Sequence, residues 1–200
     1  MTTRQVFQFI IGAVACVCVP QVAAVSITYH VNLDTSVLVG ISSLELDFQL
    51  VDGDGVNNSS ALINQFDFGD GSPDGTATPT GGASGDLSSA ILLSDVDVLN
   101  WVFQGFTPGN VLSFDVTLTS TATGVTPDSF AFGIYDVSAN VFDLFVQVDL
   151  LASGQTLRVD SPLSGVSATV SVPDSGSVMM FPLALASLGL LRFSFRKKLA

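Results

Sequence analysis

Leu112-Ser113-Phe114-Asp115-Val116-Thr117-Leu118-Thr119 sets an apolar side chain at every second position and a small polar or acidic one between. Successive side chains of a β-strand point to opposite faces, so this spacing predicts a strand with one face in a core and the other in water. Two more stretches are written the same way. Ile27, Tyr29, Val31 and Leu33 alternate with Thr28, His30 and Asn32, and Leu44, Leu46, Phe48 and Leu50 alternate with Glu45, Asp47 and Gln49. Less regular strands are predicted over residues 62–68, 90–98, 101–106, 130–135, 142–150 and 168–172.

Between these strands lie clusters of Gly, Pro, Asp, Asn and Ser at residues 52–60, 69–75 and 107–110, suited to turns that need a positive or fixed φ. Nowhere between Val25 and Val172 does a window of 11 or more residues hold a helical period. Short strands joined by turns, with helix nearly absent, predict an all-β fold: a single antiparallel β-sandwich of jelly-roll kind over residues 25–171.

Phenylalanine supplies the expected core. Phe48, Phe66, Phe68, Phe103, Phe106, Phe114, Phe130, Phe132, Phe142 and Phe145 all fall in predicted strands, and burying each ring contributes on the order of 1.5–3 kcal/mol. A sugar-binding aromatic platform would need Trp101, Tyr29 and Tyr135 exposed on one face, with Trp101 as its anchor. Packing in the core is the expectation for most of the aromatic side chains.

Charge separates the middle of the chain from its ends. Seventeen of the 18 acids lie between Val25 and Val172, against one base, Arg158. Such a surface repels phosphate backbones, which excludes nucleic acid as an expected partner. The two cysteines, Cys16 and Cys18, sit in the N-terminal apolar run and leave with it, so the folded part is expected to hold together by packing alone.

Residues 1–24 have the three-part build of a secretory signal: Arg4, an apolar run over residues 6–19, and Val22-Ala23-Ala24 at the cleavage positions. Export through a Sec-type translocon and cut by signal peptidase after Ala24 are expected. Residues 172–200 form the other end. Val172-Pro173-Asp174-Ser175-Gly176 is a turn-forming pentapeptide; residues 178–191 are apolar apart from Pro182 and Ser187; Arg192, Arg196, Lys197 and Lys198 follow. At 1.5 Å per residue the apolar run spans about 21 Å, so Phe193, Phe195 and a snorkelling Arg192 must complete a crossing of the roughly 30 Å hydrocarbon layer. The basic cluster stops the segment with its end in the cytoplasm.

Catalytic chemistry finds little in this chain. His30 is the lone histidine and belongs to the polar face of the first strand, with no second histidine or mature cysteine to complete a zinc set and no motif for a Ser-His-Asp triad. Paired carboxylates of a glycosidase have no local signature among so many acids. A non-enzymatic protein is expected. Calcium is the one cofactor with a motif: Asp70, Ser72, Asp74 and Gly75 reproduce the opening of a calcium loop, although Gly81 stands where a bidentate Glu belongs. Asp52 and Asp54 make a second, also incomplete, acidic turn.

The order of pentapeptide, apolar segment and basic cluster resembles the PEP-CTERM class of bacterial sorting signals, in the variant that carries V-P-D-S-G. That resemblance implies recognition of Val172, Pro173, Asp174, Ser175 and Gly176 by an exosortase, a membrane-embedded cysteine transpeptidase, with cleavage there. It implies passage through the inner membrane to the cell surface or the exopolysaccharide matrix of a biofilm. The mature part is also similar to exported proteins of this class that open with an S-I-T-Y-x-V-x-x-D-T-S strand, here Ser26 to Tyr29 with Val31 and Asp34-Thr35-Ser36. Leu46-Asp47-Phe48-Gln49, Phe103-Gln104-Gly105-Phe106 and residues 112–118 match later segments. The resemblance carries no catalytic residue. The function expected is that of an exported surface or matrix protein; the alternative is a carbohydrate-binding module for the matrix polysaccharide.

Overall fold

The alternating stretches fold as the strands their period predicts. The computed structural model describes residues 24–121, 126–151, 153–160 and 163–173. Among the described residues thirteen strands run in order: β1 (Val25–Asp34), β2 (Leu44–Val51), β3 (Ser59–Asp67), β4 (Ser72–Pro73), β5 (Thr78–Thr80), β6 (Ala83–Gly85), β7 (Ile91–Ser94), β8 (Leu99–Thr107), β9 (Val111–Ser120), β10 (Asp128–Asp136), β11 (Val141–Leu151), β12 (Gly154–Val159) and β13 (Ser167–Ser171). The helix among the described residues is a single 3-10 turn, Ser36–Leu38. The all-β class expected from the sequence is thus observed.

Two antiparallel sheets share the strands. One has the order β13-β1-β9-β3-β7-β6, the other β12-β11-β10-β2-β8-β4, with β5 also paired to β8. The three stretches of cleanest alternation become β1, β2 and β9, and in each the apolar set faces inward: Val31, Leu33, Leu46, Phe48, Leu50, Phe114, Val116 and Leu118 are all fully buried.

Three rings join the layers at the centre. Phe48 and Phe132 of one sheet meet Phe114 of the other, with centroids 5.4 Å (Phe48–Phe114) and 4.8 Å (Phe114–Phe132) apart in edge-to-face contact. This is the arrangement that aligns positive ring edges with negative ring faces. Phe68, Phe106, Phe130 and Phe145 extend the buried cluster.

Three expectations about the elements change. The strand expected over residues 90–98 ends at Ser94, because the Asp95 carboxylate turns to accept the backbone N–H groups of Asn58 and Ser59. β3 is interrupted between Asn64 and Asp67, where Gln65 takes a φ of 58° and the register with β9 shifts, as in a β-bulge. The 69–75 turn contains a strand, β4, held against Thr107 and Phe106.

The signal peptide expected up to Ala23, the residues Asp174, Ser175 and Gly176, the membrane segment expected after them, and Arg192, Arg196, Lys197 and Lys198 lie outside the described residues. Ala24 lies exposed just ahead of β1, and Val172 and Pro173 are exposed beyond β13. No helix among the described residues is long and apolar enough to cross a membrane.

Candidate aromatic and acidic face on the β8–β2–β10–β11 sheet

Inward and outward sets along β8 are the reverse of what ring size suggests. Asn100, Val102, Gln104 and Phe106 are buried, while Trp101 and Phe103 are half-buried on the outer face. Asn100 and Gln104 are tolerated inside because their amides meet backbone groups. Asn100 Nδ2 donates to the Leu50 and Asp97 carbonyls and its Oδ1 accepts from Gly82 N; Gln104 Oε1 accepts from Leu87 N. A buried amide with its partners satisfied costs little.

The outer face then carries a continuous line of rings. Trp101 and Phe103 stand 6.1 Å apart and edge-on, and Phe103 meets Tyr135 of β10 at 6.5 Å, again edge-on. Tyr135 pairs directly with Phe142 of β11. The ring of Phe142 lies across Gly133 so closely that there is no room for a Cβ at that position. Phe142 itself remains 42% exposed. From β8 to β11 the line crosses three strand spacings, roughly 14 Å. Phe103 and Phe142, expected in the core, belong to this face instead. Tyr29, expected beside Trp101 in any platform, is buried, and its hydroxyl donates to Gln155 Oε1 across the sheets.

Carboxylates border the rings. Glu45 lies on β2 directly between Gly105 and Tyr135, and Asp47 directly between Phe103 and Gly133. Asp74 donates its N–H to the Gly105 carbonyl, and its Cβ stands 3.7 Å from where a Cβ on Gly105 would be. Gly105 therefore lies between Glu45 on one side and exposed Asp74 on the other, with the Asp74 carbonyl oxygen 3.2 Å from where its Cβ would be.

Asp47 is 1% exposed although it belongs to the outer face. Its Oδ2 accepts from Gln49 Nε2, and its Oδ1 has no partner. Burial pushes this carboxyl up to about 6, opposed by the Gln49 hydrogen bond and reinforced by the negative charge of Glu45.

The calcium expectation meets a different geometry. A calcium loop curls alternate oxygens onto one point; here Asp70 lies in the turn ahead of β4, Ser72 is paired with Thr107 within β4, and Asp74 Oδ1 accepts from Gly75 N. The acids whose carboxylates converge, within 4.8 Å of one another, are Asp52, Asp54 and Asp128. Each is already engaged by donors of its own corner. Asp52 Oδ1 accepts from Asp54 N and Gly55 N, Asp54 Oδ1 from Val56 N, and Asp128 from Gly53 N and Ser59 Oγ. These bonds hold the 52–58 loop to the start of β3. His30 contacts Asp115 at 2.8 Å on the outside of the opposite sheet.

A cleft of about 540 Å³, lined by Pro73, Ala77, Pro79, Asp86, Ser88 and Gln104, opens near β5. No family model matches this chain, and neither a curated protein nor a solved structure matches it.

Proposed function

We propose that the protein is an exported, non-enzymatic component of the cell surface or extracellular matrix, and that its outer aromatic face binds matrix polysaccharide. The observation that carries the binding reading is the line Trp101–Phe103–Tyr135–Phe142, with Glu45 and Gln49 beside it. Half-exposed rings offer apolar faces to the C–H surfaces of sugars, and the flanking carboxylate and amide suit hydroxyl groups. In this reading the platform uses Trp101 and Tyr135 as expected and replaces Tyr29 by Phe103 and Phe142.

The jelly-roll reading of the fold is part of the proposal. It is supported by the pairings β3–β7, β2–β8 and β1–β9, which are nested about one connection, as when a long hairpin folds over on itself. The chain passes from sheet to sheet at β1–β2, β2–β3, β3–β4, β5–β6, β7–β8, β8–β9, β9–β10 and β12–β13.

Delivery rests on the sequence of the two ends. Signal peptidase would cut after Ala24 and an exosortase at Val172 to Gly176, releasing the domain from its membrane segment to the surface or matrix. The exposure of Ala24, Val172 and Pro173 leaves those positions open to processing enzymes. Intact-mass measurement of protein recovered from the cell surface tests this half: retention of the residues after Gly176 would reduce the tail to an anchor. A polysaccharide binding array with a Trp101→Ala control tests the other half, and unchanged binding by the variant would remove the platform.

A further inference from the structure

The cleft beside β5 takes the inward-pointing Gln104 of β8 into its lining, whereas the aromatic line stands on the outer side of that strand. Its walls come from the β4–β5 stretch of one sheet and the β6–β7 turn of the other, at the edge of the sandwich away from β12 and β13. At about 540 Å³ it has the size of a small-molecule site, roughly 300–1,000 Å³.

Two polar groups in the lining are fixed from behind. Gln104 is 5% exposed, and its Oε1 accepts from Leu87 N at 2.8 Å, which makes Nε2 the free end of the amide. Nε2 meets the carbonyl of Gly75, another lining residue, at only 3.5 Å, so donor capacity is left over. The residue before Leu87 is Asp86. Its Oδ1 accepts from Ser88 Oγ, Ser89 Oγ and Ser88 N, while its Oδ2 has no partner among the described residues. These donors, the Ser88 hydroxyl first, hold the carboxyl below the ordinary carboxylate range and keep it an ionised acceptor. Pro73, Ala77 and Pro79 add apolar wall.

An anchored donor and an anchored acceptor, joined through Leu87, suit a ligand whose neighbouring groups both donate and accept. Sugar hydroxyls do. An anionic ligand would be repelled by Asp86 and finds no Lys or Arg in the lining, while an ammonium or a metal ion would meet the N–H groups of Gln104. We propose that this cleft is a second binding site, separate from the aromatic face, which takes one neutral sugar unit by a pair of neighbouring hydroxyl groups, with Asp86 accepting and Gln104 donating.

Amide-detected NMR on nitrogen-labelled protein separates the two places. Methyl β-glucoside, methyl β-galactoside and methyl α-mannoside are titrated singly, with methyl β-glucuronide as the anionic comparison. At least one neutral glycoside is expected to shift the Gln104 side-chain amide and the Leu87 and Ser88 backbone amides, and the glucuronide to bind at least fivefold more weakly. Thr76→Trp places a large side chain at an exposed lining residue and should abolish these shifts. Asp86→Asn removes the charge, and Gln104→Glu keeps an acceptor for Leu87 N while removing the donors; each should weaken binding at least fivefold. Circular dichroism matched to wild type keeps misfolding from imitating a loss.

Absence of shifts at the cleft amides with all three neutral glycosides overturns the site. Shifts confined to the Trp101 indole N–H overturn it too, and leave the aromatic face in place. Undiminished cleft shifts in Thr76→Trp, or equal binding of the glucuronide, would likewise sink it, because the lining would then not be what holds the sugar.

Discussion

Asp47 and Asp128 occupy adjacent strands of one sheet, and both are 1% exposed. Their surroundings differ in kind. Asp128 points into the molecule, where Gly53 N donates to one oxygen at 2.9 Å and Ser59 Oγ to the other at 2.6 Å. Asp47 lies on the outer face among rings, with one oxygen on Gln49 and the other without a partner. Burial of a carboxylate is stabilising where it collects donors and costly where it does not. The inner corner keeps one unpartnered oxygen too, on Asp95, but the other oxygen of Asp95 accepts two backbone N–H groups, from Asn58 and Ser59, whereas Asp47 has the single side-chain donor of Gln49.

The largest expected effect contrasts two phenylalanines on one strand. Phe145 is fully buried and Phe142 is 42% exposed. Phe145→Ala should lower stability by about 3–5 kcal/mol in urea denaturation, as core Phe truncations do. Phe142→Ala should cost under about 1 kcal/mol. Similar losses for the two would break the distinction between core and face.

The two aspartates are expected to move stability in opposite directions. Asp128→Ala leaves the Gly53 amide without its acceptor and takes from Ser59 Oγ one partner, leaving it Asn58 Oδ1 and Ser120 Oγ, and should cost about 2–3 kcal/mol. Asp47→Asn removes a carboxylate that is poorly supported, and should raise stability at pH 7.5 by about 1–2 kcal/mol. A loss of stability in Asp47→Asn would show that Asp47 has a supporting partner.

The pH dependence follows from the same carboxyl. Its folded pKa of about 6 lies above the ordinary 3.8, so between those values the folded state holds more proton than the unfolded one, and stability falls as pH rises. The full rise corresponds to about 3 kcal/mol. Wild-type Tm should therefore climb as pH is lowered from 7.5 to 5. Relief of repulsion among the many acids acts in the same direction, so the diagnostic is the difference: Asp47→Asn should climb less. Parallel curves for the two proteins would assign the whole effect to net charge.

Much of the fold was legible because period-two alternation survives wherever one face meets the core. Leu112 to Thr119 is an example, and its Phe114, Val116 and Leu118 are where the pattern puts them. On β8 the same period offered two sets, and ring size favoured the wrong one for the interior. The true inward set holds Asn100 and Gln104, whose partners Gly82, Leu50 and Leu87 are 17 to 50 residues away in sequence. No local signal carries that information. Gly133 gave no warning that it would be covered by a ring, and β4, β5 and β6 are too short, and too rich in Gly, Pro, Ser and Thr, to show a period. Glu45 and Asp74 come to flank Gly105 only through the pairing of β2 and of the β4 edge with β8.

The smallest stability effect tests the face most directly. Asn100 and Trp101 are sequence neighbours on opposite sides of β8. Asn100→Ala should cost about 2 kcal/mol, because it leaves Gly82 N and the Leu50 carbonyl without their partner inside the sheet stack. Trp101→Ala removes a half-buried ring that touches Phe103 on the outside, and should change stability by under about 1 kcal/mol. Binding should respond in the reverse order. Affinity for a polysaccharide held by the face should fall at least tenfold in Trp101→Ala and remain near wild type in Asn100→Ala, measured by affinity electrophoresis at a temperature where both variants are folded. If Trp101→Ala is as destabilised as Asn100→Ala, the indole serves the packing of the sheet, and the outer rings must be counted as part of the fold rather than as a surface reserved for a ligand.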